Sequence, residues 1–121
     1  MDPVLITSIM QDPKLARLGD AYVNLVYSLA LSQMKGEPQG VKVSDRILSD
    51  AFKKAGLRNY LGTRRSRKDF ANASEAVLIE TYRKGLLTID ESVKIVTERD
   101  DPTNGIAELL KVAVERLILF K

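Results

Sequence analysis

The chain has 121 residues, 45% of them hydrophobic and 29% charged, enough for one compact core and not for two. It contains no cysteine and no histidine. That excludes a disulfide framework, a thiolate nucleophile, Cys- or His-ligated metal sites, and any triad or general base built on imidazole. The remaining chemistry must rest on carboxylates, Lys, Arg, Tyr, hydroxyls or hard cations.

Met1–Gln11 has no basic stretch followed by a long apolar run, so it does not read as a secretory signal. The greasiest segment, Leu15–Met34, is interrupted by Arg17, Asp20, Asn24, Ser28 and Gln33, too polar to span a bilayer. A soluble, cytoplasmic protein without a membrane partner is expected. Leu15, Leu18, Tyr22, Leu25, Val26 and Leu29 recur at helical spacing, while Val23, Tyr27 and Leu31 make the opposite side apolar too. Such a helix belongs in the middle of a bundle or at a subunit interface. A loop at Gly36–Gly40 ends it, and Val41–Val43 offers at most a short strand.

Ser44 is placed to cap a second helix running to about Ala55, before Gly56. Arg58–Lys68 has no apolar periodicity and reads as a loop. A third helix is predicted over Phe70–Leu86, with Phe70, Ala73, Val77, Leu78 and Tyr82 as its buried side. Thr88 with Glu91 has capping-box spacing for a short helix to Glu98. Asp101-Pro102 opens the last helix, in which Ile106, Leu109, Leu110, Ala113, Val114, Leu117 and Ile118 form an apolar stripe opposite Glu108, Lys111, Glu115 and Arg116. The pattern predicts an all-α domain.

The net charge of +3 is unevenly spread. Lys42–Lys68 holds nine basic residues against Asp45 and Asp50, a local excess of seven, while the rest of the chain is net negative by four. That is the footprint of a polyanion-binding surface, with nucleic acid the commonest partner; a solvated basic loop has the same composition.

Two carboxylates stand out. Asp20 lies inside the most hydrophobic segment, where an unpaired charge is expensive. Either it caps a helix starting at Ala21, or something in the fold compensates it. Glu75 follows Asn72 at i, i+3, which puts both side chains on one helical face beside the apolar stripe. If the two helices pack centrally, Asp20 and Glu75 can converge on one hard cation, and Mg²⁺ suits so small a donor set.

These residues resemble a known family. Leu15-Ala16-Arg17-Leu18-Gly19-Asp20-Ala21 is similar to the signature helix of ribonuclease III, Leu-Glu-Phe-Leu-Gly-Asp-Ala. Ala71-Asn72-Ala73-Ser74-Glu75-Ala76-Val77-Leu78 resembles its second acidic motif. Between them, Ala55-Gly56-Leu57-Arg58-Asn59-Tyr60-Leu61 and the basic run to Asp69 match the family's Leu-Gly-Leu-(x)-(x)-Tyr-Leu segment and its approach to that helix. The resemblance spans Leu15–Leu86. The family's usual site has four acids, two per motif; Asp20 and Glu75 match two of them, and Ala16 and Asn72 occupy the other positions. The mini-ribonuclease III branch resembles this chain in having such a reduced set, and Asn72 still offers an oxygen ligand.

The resemblance implies a single ribonuclease III-like helical domain over 1–121, acting as a homodimer without a separate double-stranded-RNA-binding domain. It implies an endoribonuclease cleaving double-stranded or structured RNA by metal-dependent phosphodiester hydrolysis, giving 5′-phosphate and 3′-hydroxyl ends. Asp20, Glu75 and Asn72 would be catalytic, with Asp20 and Glu75 holding Mg²⁺ or Mn²⁺ in its place. Lys53, Lys54, Arg64, Arg65, Arg67 and Lys68 are the candidate RNA contacts, since duplex RNA is read through phosphates and shape. The first and last helices supply apolar faces for a dimer interface or for ordinary core. Two rivals stand beside this reading: an inactive protein of the same fold that binds structured RNA, and a helical interaction protein whose basic loop is merely solvated.

Overall fold

The computed structural model describes residues 1–121 as six α-helices with no strand. They are α1 (Pro3–Met10), α2 (Pro13–Lys35), α3 (Asp45–Lys54), α4 (Arg67–Arg83), α5 (Ile89–Thr97) and α6 (Pro102–Leu119), with one 3₁₀ turn at Arg58–Tyr60. The antiparallel or crossing partners that matter most are α2 and α4, which share the most extensive contact. The α3 and α6 helices pack on α4, α5 fills the corner between α2 and α6, and α1 closes the end against α4 and α6. No helix is long and apolar enough to cross a membrane.

The all-α expectation holds, and the helix limits show which local signals decided them. The Asp20 side chain does not cap a helix at Ala21. Asp12 caps α2 instead, accepting from the Lys14 and Leu15 N–H groups at 2.9 and 3.2 Å with Pro13 in the first turn, and the helix runs uninterrupted through Gly19-Asp20. It stops at Gly36, whose φ of 73° is left-handed. The α4 helix starts at Arg67, earlier than the apolar pattern indicates, because Ser66 and Asp69 form a reciprocal capping box. At α5 only half of such a box forms: Thr88 accepts the Glu91 N–H at 3.0 Å, but the Glu91 carboxylate pairs with Arg116 through two contacts of 2.7 Å. The α1 helix carries no strong periodic signal, yet Asp2 caps it and Ile6 and Met10 are buried.

The Val41–Val43 strand does not form. The segment is extended but pairs with side chains of α2: the Gln39 N–H donates to Ser32 Oγ at 2.8 Å, the Val41 N–H to Ser28 Oγ at 3.0 Å, and the Val43 N–H to Asn24 Oδ1 at 2.8 Å. Two extended residues span about 6.6 Å and four helical residues about 6 Å, so a polar residue every fourth position keeps register with alternate residues of the segment. Asn24 and Ser28, two of the polar interruptions of the greasy helix, belong to this ladder with Ser32; Asp20 continues their four-residue spacing and accepts from the Lys42 side chain instead of the backbone.

The core gathers Phe52, Phe70, Val77, Leu78, Ile106, Leu109, Leu110 and Leu117, with Phe52 and Phe70 stacked at 5.5 Å between ring centres. Two expected core residues lie elsewhere: Tyr82 is 41% exposed beside Tyr22, and Ile118 is 47% exposed near the end of α6. The rest of the α6 stripe is intramolecular core. On α2, by contrast, Leu18, Leu25 and Leu29 remain exposed along one side of the helix.

Candidate active site

The site begins at Gly19. A Cβ added there would lie 2.0 Å from the Glu75 carbonyl oxygen and 2.9 Å from its Cβ, so the α2 backbone lies directly on α4 at Glu75. Only glycine permits that approach. Its neighbour Asp20 is thereby set beside the Glu75 side chain, and the two carboxyl groups are within hydrogen-bonding reach.

Their environments differ. Glu75 is 5% exposed. Its burial, then its contact with Asp20 and the charges of Asp20 and Asp45, push its pKa up to about 8, with Lys68 opposing. Asp20 sits at the open edge. The hydrogen bond from Glu75 holds its carboxyl below the ordinary carboxylate value, with help from Lys42 and Asn24. The two carboxyls titrate as a coupled pair in which Glu75 keeps its proton to higher pH than Asp20.

The pair opens into a cleft of about 570 Å³. Ala16, Asp20, Asn72 and Glu75 all line it, so the four positions matched to the family's acidic motifs face one space. Arg17, Lys42, Asp45 and Lys68 complete its charged walls. Asn72 also lines a smaller cleft of about 170 Å³ with Asp12, Arg65 and Asp69, so the polar surface continues along the start of α4. Nowhere do three or more acidic side chains converge as a metal-holding group.

The predicted basic residues are distributed unevenly around this cleft. Lys68 stands in it, 3.3 Å from Asp45. Arg65 faces the adjoining cleft, its Nε donating to the Leu61 carbonyl at 2.8 Å. Arg64, on the approach to α4, and Arg67, its first residue, are exposed, Arg64 with an uncommon φ of 61°. Lys53 and Lys54 lie elsewhere: Lys53 is over the Phe70 ring at 5.5 Å, and Lys54 donates to Asn104 on α6 at 2.7 Å. Sequence reasoning missed Arg17 and Lys42 as lining residues. Arg17 was legible, being three residues before Asp20; Lys42 depends on the ladder that docks its segment on α2.

The ribonuclease III family model matches residues 13–116, from the first turn of α2 to near the end of α6. No curated protein matches the chain. The matched span contains the Gly19 crossing, every acidic-motif position and the whole cleft. The chain belongs to the ribonuclease III family.

Proposed function

We propose that the protein is a cytoplasmic endoribonuclease that acts as a homodimer of single 1–121 domains. It hydrolyses phosphodiesters of double-stranded or structured RNA with a divalent cation, leaving 5′-phosphate and 3′-hydroxyl ends. The observation that carries this reading is the convergence of Ala16, Asp20, Asn72 and Glu75 on one cleft walled by charged residues in a ribonuclease III family chain.

The donor set fits a hard cation: Asp20, Glu75 and Asn72 offer only oxygens or an amide, with no soft ligand, and two carboxylates suffice for Mg²⁺, with Mn²⁺ as substitute. Asp20 and Glu75 would hold it. Such an ion, when bound, supplies a water acidic enough to attack near neutral pH and stabilises charge developing on the phosphoryl group. The chain's own residues do the rest. Glu75 must release its proton for both carboxylates to serve as ligands. Asn72 lines the cleft with them and can offer its amide oxygen as a further ligand. Arg17, Lys68 and Arg65 draw the phosphate backbone in, with Arg64 and Arg67 extending the track; Lys53 and Lys54 would meet a more distant part of a duplex.

The exposed Leu18, Leu25 and Leu29 stripe supports the dimer, because a second copy would bury it. Two-fold symmetry then presents one cleft to each strand of a duplex. A second reading, RNA binding without cleavage, is favoured by the absence of any cluster of three or more acids.

Purified protein with end-labelled double-stranded RNA, in Mg²⁺, Mn²⁺ or chelator, decides between them. Cutting that needs metal and is lost in Asp20→Asn and Glu75→Gln upholds the nuclease. RNA that is bound but emerges intact in either metal upholds the binding protein.

A further inference from the structure

Asp20 already has a cation. The Lys42 ammonium lies 3.2 Å from Asp20 Oδ1 and 3.4 Å from Oδ2, so it faces both oxygens. The contact is built by the fold. Lys42 stands between Val41, held to Ser28 by both its N–H and its carbonyl at 3.0 and 3.1 Å, and Val43, whose N–H is held by Asn24 at 2.8 Å and whose side chain is buried. Asn24 also donates to Asp20 Oδ1 at 3.3 Å, so one amide ties the Lys42 segment to the carboxylate. The lysine side chain itself is 74% exposed, which leaves it free to move while its backbone stays fixed.

Resting on the cation-dependent reading of the cleft, we infer that Lys42 is a resident counter-cation of Asp20, which a divalent ion must displace. Two like charges cannot share one face of a carboxylate without repulsion. Displaced but still tethered, the ammonium stays at the mouth of the cleft, where the incoming anion is a phosphate of the nucleic acid. Lys42 is therefore a positioning residue with two opposed effects: it weakens cation binding to the free protein and strengthens RNA binding to the loaded one.

The test is Mn²⁺ binding to RNA-free protein, read from the electron paramagnetic resonance signal of the free ion. Lys42→Met should lower the Mn²⁺ Kd about two- to fivefold, the worth of the exposed ion pair that the metal must break. Lys42→Arg, which keeps the charge, should stay near wild type. In cleavage assays Lys42→Met should need less metal for half-maximal rate while its KM for RNA rises, opposite movements that loss of structure would not produce. An unchanged or raised Mn²⁺ Kd in Lys42→Met, with Asp20→Asn still abolishing binding, overturns this inference and leaves the site reading standing. Wild-type protein that binds no Mn²⁺ through Asp20 overturns both.

Discussion

Replacing Gly19 with alanine tests the crossing on which the site depends, and two effects of opposite sign make the outcome decisive. In the interior of a helix, Gly→Ala is worth about 1 kcal/mol of stabilisation from propensity alone. At this position the new Cβ falls 2.0 Å from the Glu75 carbonyl oxygen and 2.4 Å from its carbon. The obstacle is backbone within a helix, so no rotamer change relieves it. Ordinary contact needs α2 and α4 to part by about 1 Å or more. Overpacking of this kind costs about 1–3 kcal/mol, and with an unyielding carbonyl we take the upper end. Net of propensity, Gly19→Ala should lose about 2 kcal/mol, roughly 8 °C in Tm for a domain of this size. Thermal unfolding followed by circular dichroism measures it. RNA cleavage assayed well below the lowered Tm should fall as well, because the same displacement separates Asp20 from Glu75. A Tm equal to or above wild type would show that the helices do not touch at Gly19, and the account of the site would fail with it.

Glu75 makes stability depend on pH in a defined direction. Its folded pKa of about 8 lies above the ordinary 4.5, so its contribution is fully present below about 4.5 and is lost as pH rises through about 8. Without divalent ions, wild-type Tm should decline over that window, by at most about 1.4 kcal/mol of stability per pH unit from this group, and Glu75→Gln should flatten the decline; a wild-type curve level from pH 5 to 8.5 refutes the assignment. Arg65→Gln and Lys68→Gln should each weaken duplex RNA binding uniformly across sequences and reduce the salt slope by about one, read from titrations at several ionic strengths. Leu25→Glu, at a position 46% exposed, should leave the fold intact but shift the mass in light scattering from dimer to monomer; an unchanged dimer mass rules out the α2 stripe as the interface.

Much of this protein was legible in its sequence because the signals are local. Caps at Ser44, Thr88 and Asp101 mark helix starts through contacts within a few residues, and all three side chains cap their helices. The acidic motifs are short contiguous runs that resemble those of ribonuclease III, and the family match contains both. Local rules failed where a competing partner lay far along the chain. Asp20 is a good cap residue in isolation, but Asp12 and Pro13 start the helix earlier, leaving Asp20 for Glu75. Glu91 has the spacing to close a capping box, but Arg116 on α6 takes its carboxylate.

The tertiary structure alone decided what four polar residues of α2 are for. In sequence, Asp20, Asn24, Ser28 and Ser32 are blemishes in an apolar helix; in space, their four-residue repeat matches the rise of an extended segment that returns beside them. That return brings Lys42, 22 residues away, onto Asp20. Gly19 brings Glu75 to the same place by leaving out one methyl group. Composition and spacing limited the available chemistry to carboxylates, Lys, Arg, Tyr, hydroxyls or hard cations on a helical frame, because they record which groups exist and which lie on one face. Which groups meet, and with what charge, is set by helix crossing and chain return, whose contacts join residues that spacing cannot relate.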